Sequence, residues 1–176
     1  MEKVLVTGAT GYIALHCVQQ LLDQGYAVNG SIRSPERKNE VIEALKNSGT
    51  STENLNLYVF DLTNDEGWDD GMEGCDYLLH VASPLALENH TEDYFVKPAV
   101  AGAKRALKFA KKHGVKKVVL TSSVAAIFET GEEKVFYDES DWSDPDNPNN
   151  PWTELTAGND PADRRFLQSS GPFTLE

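Results

Sequence analysis

The chain has 176 residues, of which 40% are hydrophobic, and this is enough for one domain with a single buried core. Its formal net charge of -12 disfavours a general binding surface for nucleic acid or for anionic membranes. No apolar segment is long enough to span a bilayer, and the first residues lead directly into a strand, so we expect neither a membrane anchor nor a secretory signal.

Short β-branched runs alternate along the chain with segments whose apolar residues have helical spacing. In chain order the pattern predicts a strand over Lys3 to Thr7, a helix over Tyr12 to Gln24, a strand over Ala27 to Ile32, a helix over Glu36 to Asn47, strands over Leu55 to Phe60 and Tyr77 to Ala82, a helix over Val100 to Lys112 and a strand over Lys116 to Ser122. Gly25 is expected to close the first helix as a left-handed cap, and Ser34 followed by Pro35 to start the second.

Strands that alternate with helices indicate βαβ units and a parallel sheet covered on both faces. We therefore predict a doubly wound α/β domain, the three-layer αβα arrangement of Rossmann folds, over residues 1–145. Residues 146–176 are rich in Pro, Asn and acidic side chains and predict an irregular tail, with one short helix around Pro161 to Gln168. The predicted sheet is incomplete at its carboxyl-terminal side, and an unpaired edge strand is expected to favour self-association.

The segment "VTGATGYIA" joins the first predicted strand to the first predicted helix. Gly8 permits a tight turn after the strand, and Gly11 removes a side chain where a pyrophosphate would approach. The helix that follows presents free N–H groups and partial positive charge to phosphates. Ala14 stands at the third small position, where a methyl group still lets the helix pack close to the strand. A turn without a ligand is the alternative, but the position between a strand and a helix favours dinucleotide binding.

The GxxGxxA spacing of this turn occurs together with "GSIRSPERK", "HVASP", "KPAV" and "VVLTSSVAAIF", in that order. With these motifs, residues 1–145 resemble the extended short-chain dehydrogenases/reductases, of the NAD-dependent epimerase/dehydratase type. Within that family they are similar to dihydroflavonol reductases, cinnamoyl-CoA reductases and yeast-type NADPH-dependent methylglyoxal reductases. The resemblance implies an oxidoreductase with a nicotinamide cofactor and a small-molecule carbonyl substrate.

The residues after the second predicted strand indicate which dinucleotide is bound. An NAD-specific site places an acidic residue about 20 residues past the glycines. This chain has Arg33 there, followed by Arg37 and Lys38. A guanidinium complements a 2′-phosphate, and the resemblance implies this role for Arg33 and Arg37, whereas Lys38 is expected on a solvated helix face. NADP(H) is therefore the predicted cofactor.

Further cofactor contacts are predicted at the ends of the third and fourth strands. Asp61 and Leu62 match the pair that contacts adenine in the family, although Asp61 also suits the simple end of a strand. Ala82 and Ser83 follow the fourth strand, where ligands bind in open α/β sheets. The predicted cofactor-binding residues are Gly8, Ala9, Thr10, Gly11, Tyr12, Ile13, Arg33, Arg37, Asp61, Leu62 and Ala82.

The resemblance implies three catalytic groups: a serine that orients the substrate carbonyl, a tyrosine that transfers the proton, and a lysine four residues after the tyrosine. Ser123 matches the serine, with Ser122 as the alternative candidate and an ordinary strand-end hydroxyl as the alternative interpretation. The residues four beyond the 6 tyrosines are His16, Gly30, Leu62, Val81, Pro98 and Asp141, so the Tyr-x-x-x-Lys pair is absent from the sequence. We therefore expect cofactor binding without appreciable turnover; a reductase and an interaction module with a purely structural cofactor site are the alternatives.

Neither histidines nor cysteines predict a metal site. No two of the 4 histidines have metal-ligand spacing, and His80 lies in an apolar strand, where a hydrogen-bonded core histidine is expected. Cys17 and Cys75 lie in apolar runs without a CxxC motif, so buried thiols are expected rather than a disulfide. Unpaired thiols are typical of a reducing compartment and predict a cytoplasmic location.

Overall fold

The structure, a computed structural model, describes residues 1–83, 92–123, 126–127, 136–138 and 140–141. By their contacts these residues fall into two compact units, one with residues 1–83 and 102–121 and the other with the described residues of 84–101 and 122–174. The predicted tail at 146–176, with its short helix around Pro161 to Gln168, lies outside the described residues. The predicted division of the chain at residue 145 therefore stays a prediction.

Every predicted strand is present in the described chain, and its ends lie within 2 residues of their predicted positions. The elements are β1 (Lys3–Val6), α1 (Tyr12–Asp23), β2 (Ala27–Ile32), a 3-10 turn (Pro35–Arg37), α2 (Lys38–Asn47), β3 (Leu55–Val59), α3 (Trp68–Met72), β4 (Tyr77–His80), α4 (Glu92–Lys112) and β5 (Lys117–Leu120). Within these described elements, no helix has the length and apolar character that a membrane span requires.

The second helix begins differently from the prediction. Pro35–Arg37 forms a 3-10 turn before α2, and Ser34 makes no capping hydrogen bond to a helical N–H. The Ser34 hydroxyl instead donates to the Glu36 carboxylate, which lowers the pKa of that carboxyl. The α-helix therefore begins at Lys38, after this turn, and not at Glu36 as predicted.

The fourth helix is longer than the prediction, because it begins at Glu92 rather than at Val100. Pro98 lies inside it. Proline lacks the N–H that a helical hydrogen bond needs, so the segment around it carries little sequence signal for a helix.

The strands form one parallel sheet in the order β3-β2-β1-β4-β5. Central β1 pairs with β2 on one side and β4 on the other, so that Val6 lies beside both Gly30 and Leu79. The strand order reverses between β1 and β4, and ligands of open α/β sheets bind at the carboxyl ends of the strands at such a point. The doubly wound α/β prediction is confirmed. In the described sheet β5 is an outer strand, and its Val119 is 50% exposed.

The side chains of β1 alternate between two hydrophobic cores on opposite faces of the sheet. Val4 and Val6 point into one core and Leu5 into the other. The first core is completed by Ala9, Ala14, Val18, Val28, Ile32, Val41 and Leu45, and the second by Phe60, Trp68, Met72, Cys75, Leu78, Ala106, Phe109, Ala110 and Val115. Helices α1 and α2 thus cover one face, while α3 and the second half of α4 cover the other. This is the predicted three-layer arrangement.

An aromatic cluster that the sequence analysis did not predict fills the second core. Trp68, the first residue of α3, is fully buried, with its ring centroid 4.6 Å from that of Phe60 and 5.7 Å from that of Phe109. Its indole N–H donates to the carbonyl of Asp61 at 3.0 Å. Helix α3 has only 5 residues, too few to show a helical repeat, and for this reason the pattern missed it.

The two cysteines are free thiols in different surroundings. Cys75 is buried, and burial raises the pKa of its thiol to about 11. Cys17 is only half-buried, so the expectation of a buried thiol is wrong there. Cys17 comes one residue before Val18, and adjacent residues on a helix face different directions, so Val18 occupies the core-facing position instead.

Trp68→Ala should lower the free energy of unfolding by about 3–5 kcal/mol, because it removes a fully buried ring and leaves a cavity. Val59→Ala is the matched control, since Val59 is 48% exposed on the outer strand β3, and it should cost less than about 1 kcal/mol. Urea unfolding followed by circular dichroism measures both variants. Equal losses would contradict the central place of Trp68 in this core.

Candidate functional site

The turn between β1 and α1 is held to β2 by a single residue, Ser31. Its hydroxyl accepts a hydrogen bond from the Gly8 N–H, and its carbonyl accepts one from the Ala9 N–H, both at 2.8 Å. The Gly11 N–H then closes the turn on the Gly8 carbonyl, also at 2.8 Å. Ser31 is not among the predicted site residues, and its signal in the sequence is a hydroxyl within a buried strand.

The first two glycines of the turn are needed for different reasons. Gly8 has a φ of 72°, and a Cβ on it would lie 2.9 Å from the Cβ of Ala82. Among the described residues, a Cβ on Gly11 would meet only the Gly8 carbonyl oxygen, at 3.2 Å, and Gly11 is exposed. Gly8 is therefore required by the fold of the turn, whereas Gly11 leaves open space above it.

The first turn of α1 presents unsatisfied N–H groups beside this open space. The helix begins at Tyr12 with Gly11 as its N-cap, no side chain caps it, and no acidic residue lies in its first turn. Among the described residues, the N–H groups of Thr10, Tyr12 and Ile13 have no acceptor. Free N–H groups and the positive end of the helix dipole together favour an anion at this position.

Ala14 has the packing role that the sequence predicts for the third small position. Its side chain is 2% exposed and belongs to the core that α1 and α2 form against the sheet. A methyl group fits between the helix and the strands, so a third glycine is not needed.

Thr7 joins the end of β1 to the end of β4. Its hydroxyl accepts hydrogen bonds from the N–H groups of Val81 and Ala82, both at 3.0 Å, and lies 3.0 Å from Nδ1 of His80. Two accepted hydrogen bonds occupy both lone pairs, so the hydroxyl proton is donated to Nδ1. His80 is therefore neutral, with its proton on Nε2, and burial lowers its pKa to about 4. The expected hydrogen-bonded core histidine is confirmed, and Thr7 is its partner.

The two arginines predicted to bind a 2′-phosphate have different surroundings. Arg33 follows β2, is exposed, and has no ion-pair partner in the described part of the chain. Arg37 donates from Nε and Nη2 to the carboxylate of Glu40, at distances of 2.8 to 3.2 Å. This hydrogen bonding raises the pKa of Arg37 and lowers that of Glu40. Arg33 is thus available to a ligand, while Arg37 already has an anionic partner.

Asp61 and Leu62 follow β3 after one intervening residue, Phe60, and already have contacts within the protein. The Asp61 carboxylate accepts hydrogen bonds from the N–H of Thr63 at 2.8 Å and from its hydroxyl at 2.7 Å. The Leu62 side chain packs on α4, where a Cβ on Gly102 would lie 3.1 Å from the Leu62 Cβ. Strand β3 ends at Val59, and Asp61 instead orders the turn beyond it through Thr63. Contact of Asp61 and Leu62 with adenine stays a prediction.

Ser123 belongs to the other compact unit. It is half-buried, and its carbonyl accepts a hydrogen bond from the Ala126 N–H at 3.0 Å. The structure brings Gly8, Ala82, Ser31 and Thr7 together at the carboxyl ends of the strands in the first unit. The catalytic role of Ser123 stays a prediction.

Gly8→Ala should destabilise the protein more than Gly25→Ala. Both positions have a positive φ, 72° and 86°, so each alanine loses about 1–2 kcal/mol from left-handed backbone strain. Only the Cβ at Gly8 would collide with Ala82, since nothing lies within 4 Å of a Cβ at Gly25. Urea unfolding measures both variants, and equal losses would show that Ala82 does not constrain the turn.

Stability should fall as the pH drops from 6.5 to about 4, because the unfolded chain protonates His80 with a pKa near 6.5 while the folded chain keeps it neutral down to about 4. The unfolded state then binds more protons, which lowers the free energy of unfolding by up to about 3 kcal/mol at the acid end of this window. His80→Asn should flatten the slope. Urea unfolding at stepped pH tests this, and an unchanged slope in the variant would refute it.

The sequence is similar to several plant reductases. It is 37% identical to dihydroflavonol 4-reductase of Solanum lycopersicum over 145 residues, which cover 81% of this chain and 38% of the relative. It is 38% identical to vestitone reductase of Medicago sativa over 147 residues, which cover 82% of this chain and 45% of the relative. The chain spans less than half the length of these two relatives.

A solved structure is similar to this one. Yeast methylglyoxal/isovaleraldehyde reductase, in complex with NADPH, matches with a TM-score of 0.77 and 30% identity, covering 96% of this chain and 53% of the yeast chain. The model of the NAD dependent epimerase/dehydratase family matches residues 4–154. These findings agree with the resemblance drawn from the motifs: the chain belongs to the NAD dependent epimerase/dehydratase family.

Proposed function

We propose that this chain binds NADP(H) at the carboxyl ends of β1 and β4 and holds it without appreciable reductase turnover. The observation that carries the proposal is the open turn above Gly11. The N–H groups of Thr10, Tyr12 and Ile13 have no acceptor among the described residues, and no carboxylate lies in the first turn of α1. A bound diphosphate would supply the missing acceptors.

The residues of the turn fit a dinucleotide. Gly11 leaves room for phosphate oxygens to approach the backbone, because it has no side chain and faces open space. Gly8 and Ala82 pack against each other below, so the turn already has a fixed shape before a ligand arrives. When bound, the nicotinamide supplies or accepts a hydride.

Arg33 supports NADP(H) rather than NAD(H). It is exposed, has no ion-pair partner in the described chain, and stands where an NAD site would carry an acid. The yeast structure that matches this fold was solved with NADPH, which agrees with this choice. Arg37 would contribute less, because it must leave Glu40 before it can face a phosphate.

For the whole protein we propose reduction of small carbonyl compounds. The names of the relatives indicate dihydroflavonols, vestitone and methylglyoxal as the substrate class. Ser123 is the group proposed to orient the substrate carbonyl by donating a hydrogen bond. The proton donor that the resemblance implies, a tyrosine with lysine four residues later, is not among these 176 residues. We therefore expect these residues to bind the cofactor without catalysing the reduction.

Arg33→Met should weaken NADPH binding by about tenfold or more, since it removes a charged hydrogen-bond donor from the 2′-phosphate. NADH, which lacks that phosphate, should bind the variant and the unmodified chain equally. Arg37→Met is the matched control and should weaken NADPH binding by only about twofold, because Glu40 competes for Arg37.

Fluorescence titration with both dinucleotides measures these affinities in the unmodified chain and in each variant. Equal affinities of the unmodified chain for NADH and NADPH would contradict the role given to Arg33. The absence of saturable binding of either dinucleotide would overturn the proposed function itself.

A further inference from the structure

The end of β4 continues to pair with β1 through a side chain rather than through the backbone. The Thr7 N–H makes the last backbone hydrogen bond between these strands, to the Leu79 carbonyl at 3.0 Å. Beyond it, the N–H groups of Val81 and Ala82 both donate to the Thr7 hydroxyl. One oxygen atom therefore holds the first residues of the loop after β4.

The protonation of His80 decides whether Thr7 can hold both N–H groups. A hydroxyl has two lone pairs and one proton, so a threonine that accepts twice must donate to a third group. Nδ1 of His80, at 3.0 Å, can receive that proton only while it carries none of its own. If Nδ1 were protonated, Thr7 would have to release one of the two N–H groups in order to accept from the ring.

Two adjacent contacts connect this hydrogen-bond cluster to the turn between β1 and α1. Thr7 immediately precedes Gly8, and Ala82 packs so closely on Gly8 that a Cβ there would lie at 2.9 Å. Ser31 of β2 holds the other side of the turn through the Gly8 N–H. A displacement of Ala82 would therefore reach the residues that lead to the open N–H groups of α1.

The surroundings of His80 keep its ring in one place. The residue is 4% exposed, and its carbonyl accepts a hydrogen bond from the Thr121 N–H at 3.0 Å, which fixes its backbone beside β5. Burial lowers its pKa, and no charged side chain among the described residues contributes to this shift. Within the described chain the ring therefore interacts with no charged group, and its hydrogen bond to Thr7 is the polar contact that orients it.

We propose that His80 is a positioning residue for the cofactor: as the acceptor of the Thr7 hydroxyl proton, it holds the turn between β1 and α1 and the backbone of Val81 and Ala82 in the geometry that binds a dinucleotide. This inference rests on the proposed binding of NADP(H). According to this inference, His80 influences the affinity for NADP(H) although it is buried and does not contact the cofactor.

The test compares two variants of nearly equal shape. His80→Asn places an amide oxygen where Nδ1 was and keeps an acceptor for Thr7, whereas His80→Leu has the same branching and no acceptor. With the folded state verified by circular dichroism, His80→Leu should weaken NADPH binding about tenfold, the effect of one lost buried hydrogen bond. His80→Asn should restore the affinity to within about threefold of the unmodified chain.

A second pair of variants gives the same test from the other partner. Thr7→Val removes the hydroxyl and should weaken NADPH binding as much as His80→Leu does, while Thr7→Ser keeps it and should bind normally. If the two residues act as one unit, the double variant Thr7→Val, His80→Leu should bind no more weakly than either single variant. If His80→Leu fails to fold, the comparison of Thr7→Val with Thr7→Ser still shows whether the Thr7 hydroxyl affects NADPH affinity.

Two measurements on the chain without ligand separate this inference from the proposed function. ¹⁵N NMR should show the His80 proton on Nε2, and hydrogen exchange at the Val81 and Ala82 amides should be faster in His80→Leu than in His80→Asn. A proton on Nδ1, or equal NADPH affinity in the folded His80→Leu and unmodified chains, would overturn the role of His80. If the unmodified chain does not bind NADPH, the proposed function fails, and these two measurements decide whether His80 orders the loop.

Discussion

The hydroxyl of Thr7 joins β1 and β4 where the strand order of the sheet reverses, and the rest of the candidate site depends on this connection. It holds two backbone N–H groups of the loop after β4, and it is itself held by a neutral histidine. Ala82, fixed in this way, packs on Gly8, while Ser31 holds Gly8 from β2. The turn is therefore shaped by buried contacts of the protein, and its outer surface is left with free N–H groups.

The charges around the turn explain why an acidic chain can still bind a polyanion. The net charge is -12, but no acidic side chain lies in the first turn of α1. Arg33 is unpaired in the described chain, and Glu40 neutralises Arg37. The proposed phosphate binding would then depend on local donors and on Arg33 rather than on the overall field of the protein, which salt would screen within about 10 Å.

The strands and the glycine turn were predictable because their signals are local, whereas the contacts that shape the site were not. The adjacent valines of β5 indicate a strand by themselves, and Gly8 and Gly11 stand out because they lack a side chain. The bond between Thr7 and His80 links residues 73 positions apart, and Ser31 meets Gly8 across 23 positions, so no pattern within one segment shows either. Helix α3 was missed because 5 residues are too few to show a helical repeat. The pairing of Arg37 with Glu40 was missed because it depends on the side-chain rotamers.

The most direct test of the account follows binding and turnover in one sample. NADPH is titrated into the chain until the site is saturated, then methylglyoxal or a dihydroflavonol is added and the absorbance of NADPH is followed. The account predicts saturable binding and no oxidation of NADPH above the rate without protein, because no tyrosine of this chain has its lysine partner. Oxidation at the rate of an ordinary enzyme, on the order of 10 per second, would contradict it.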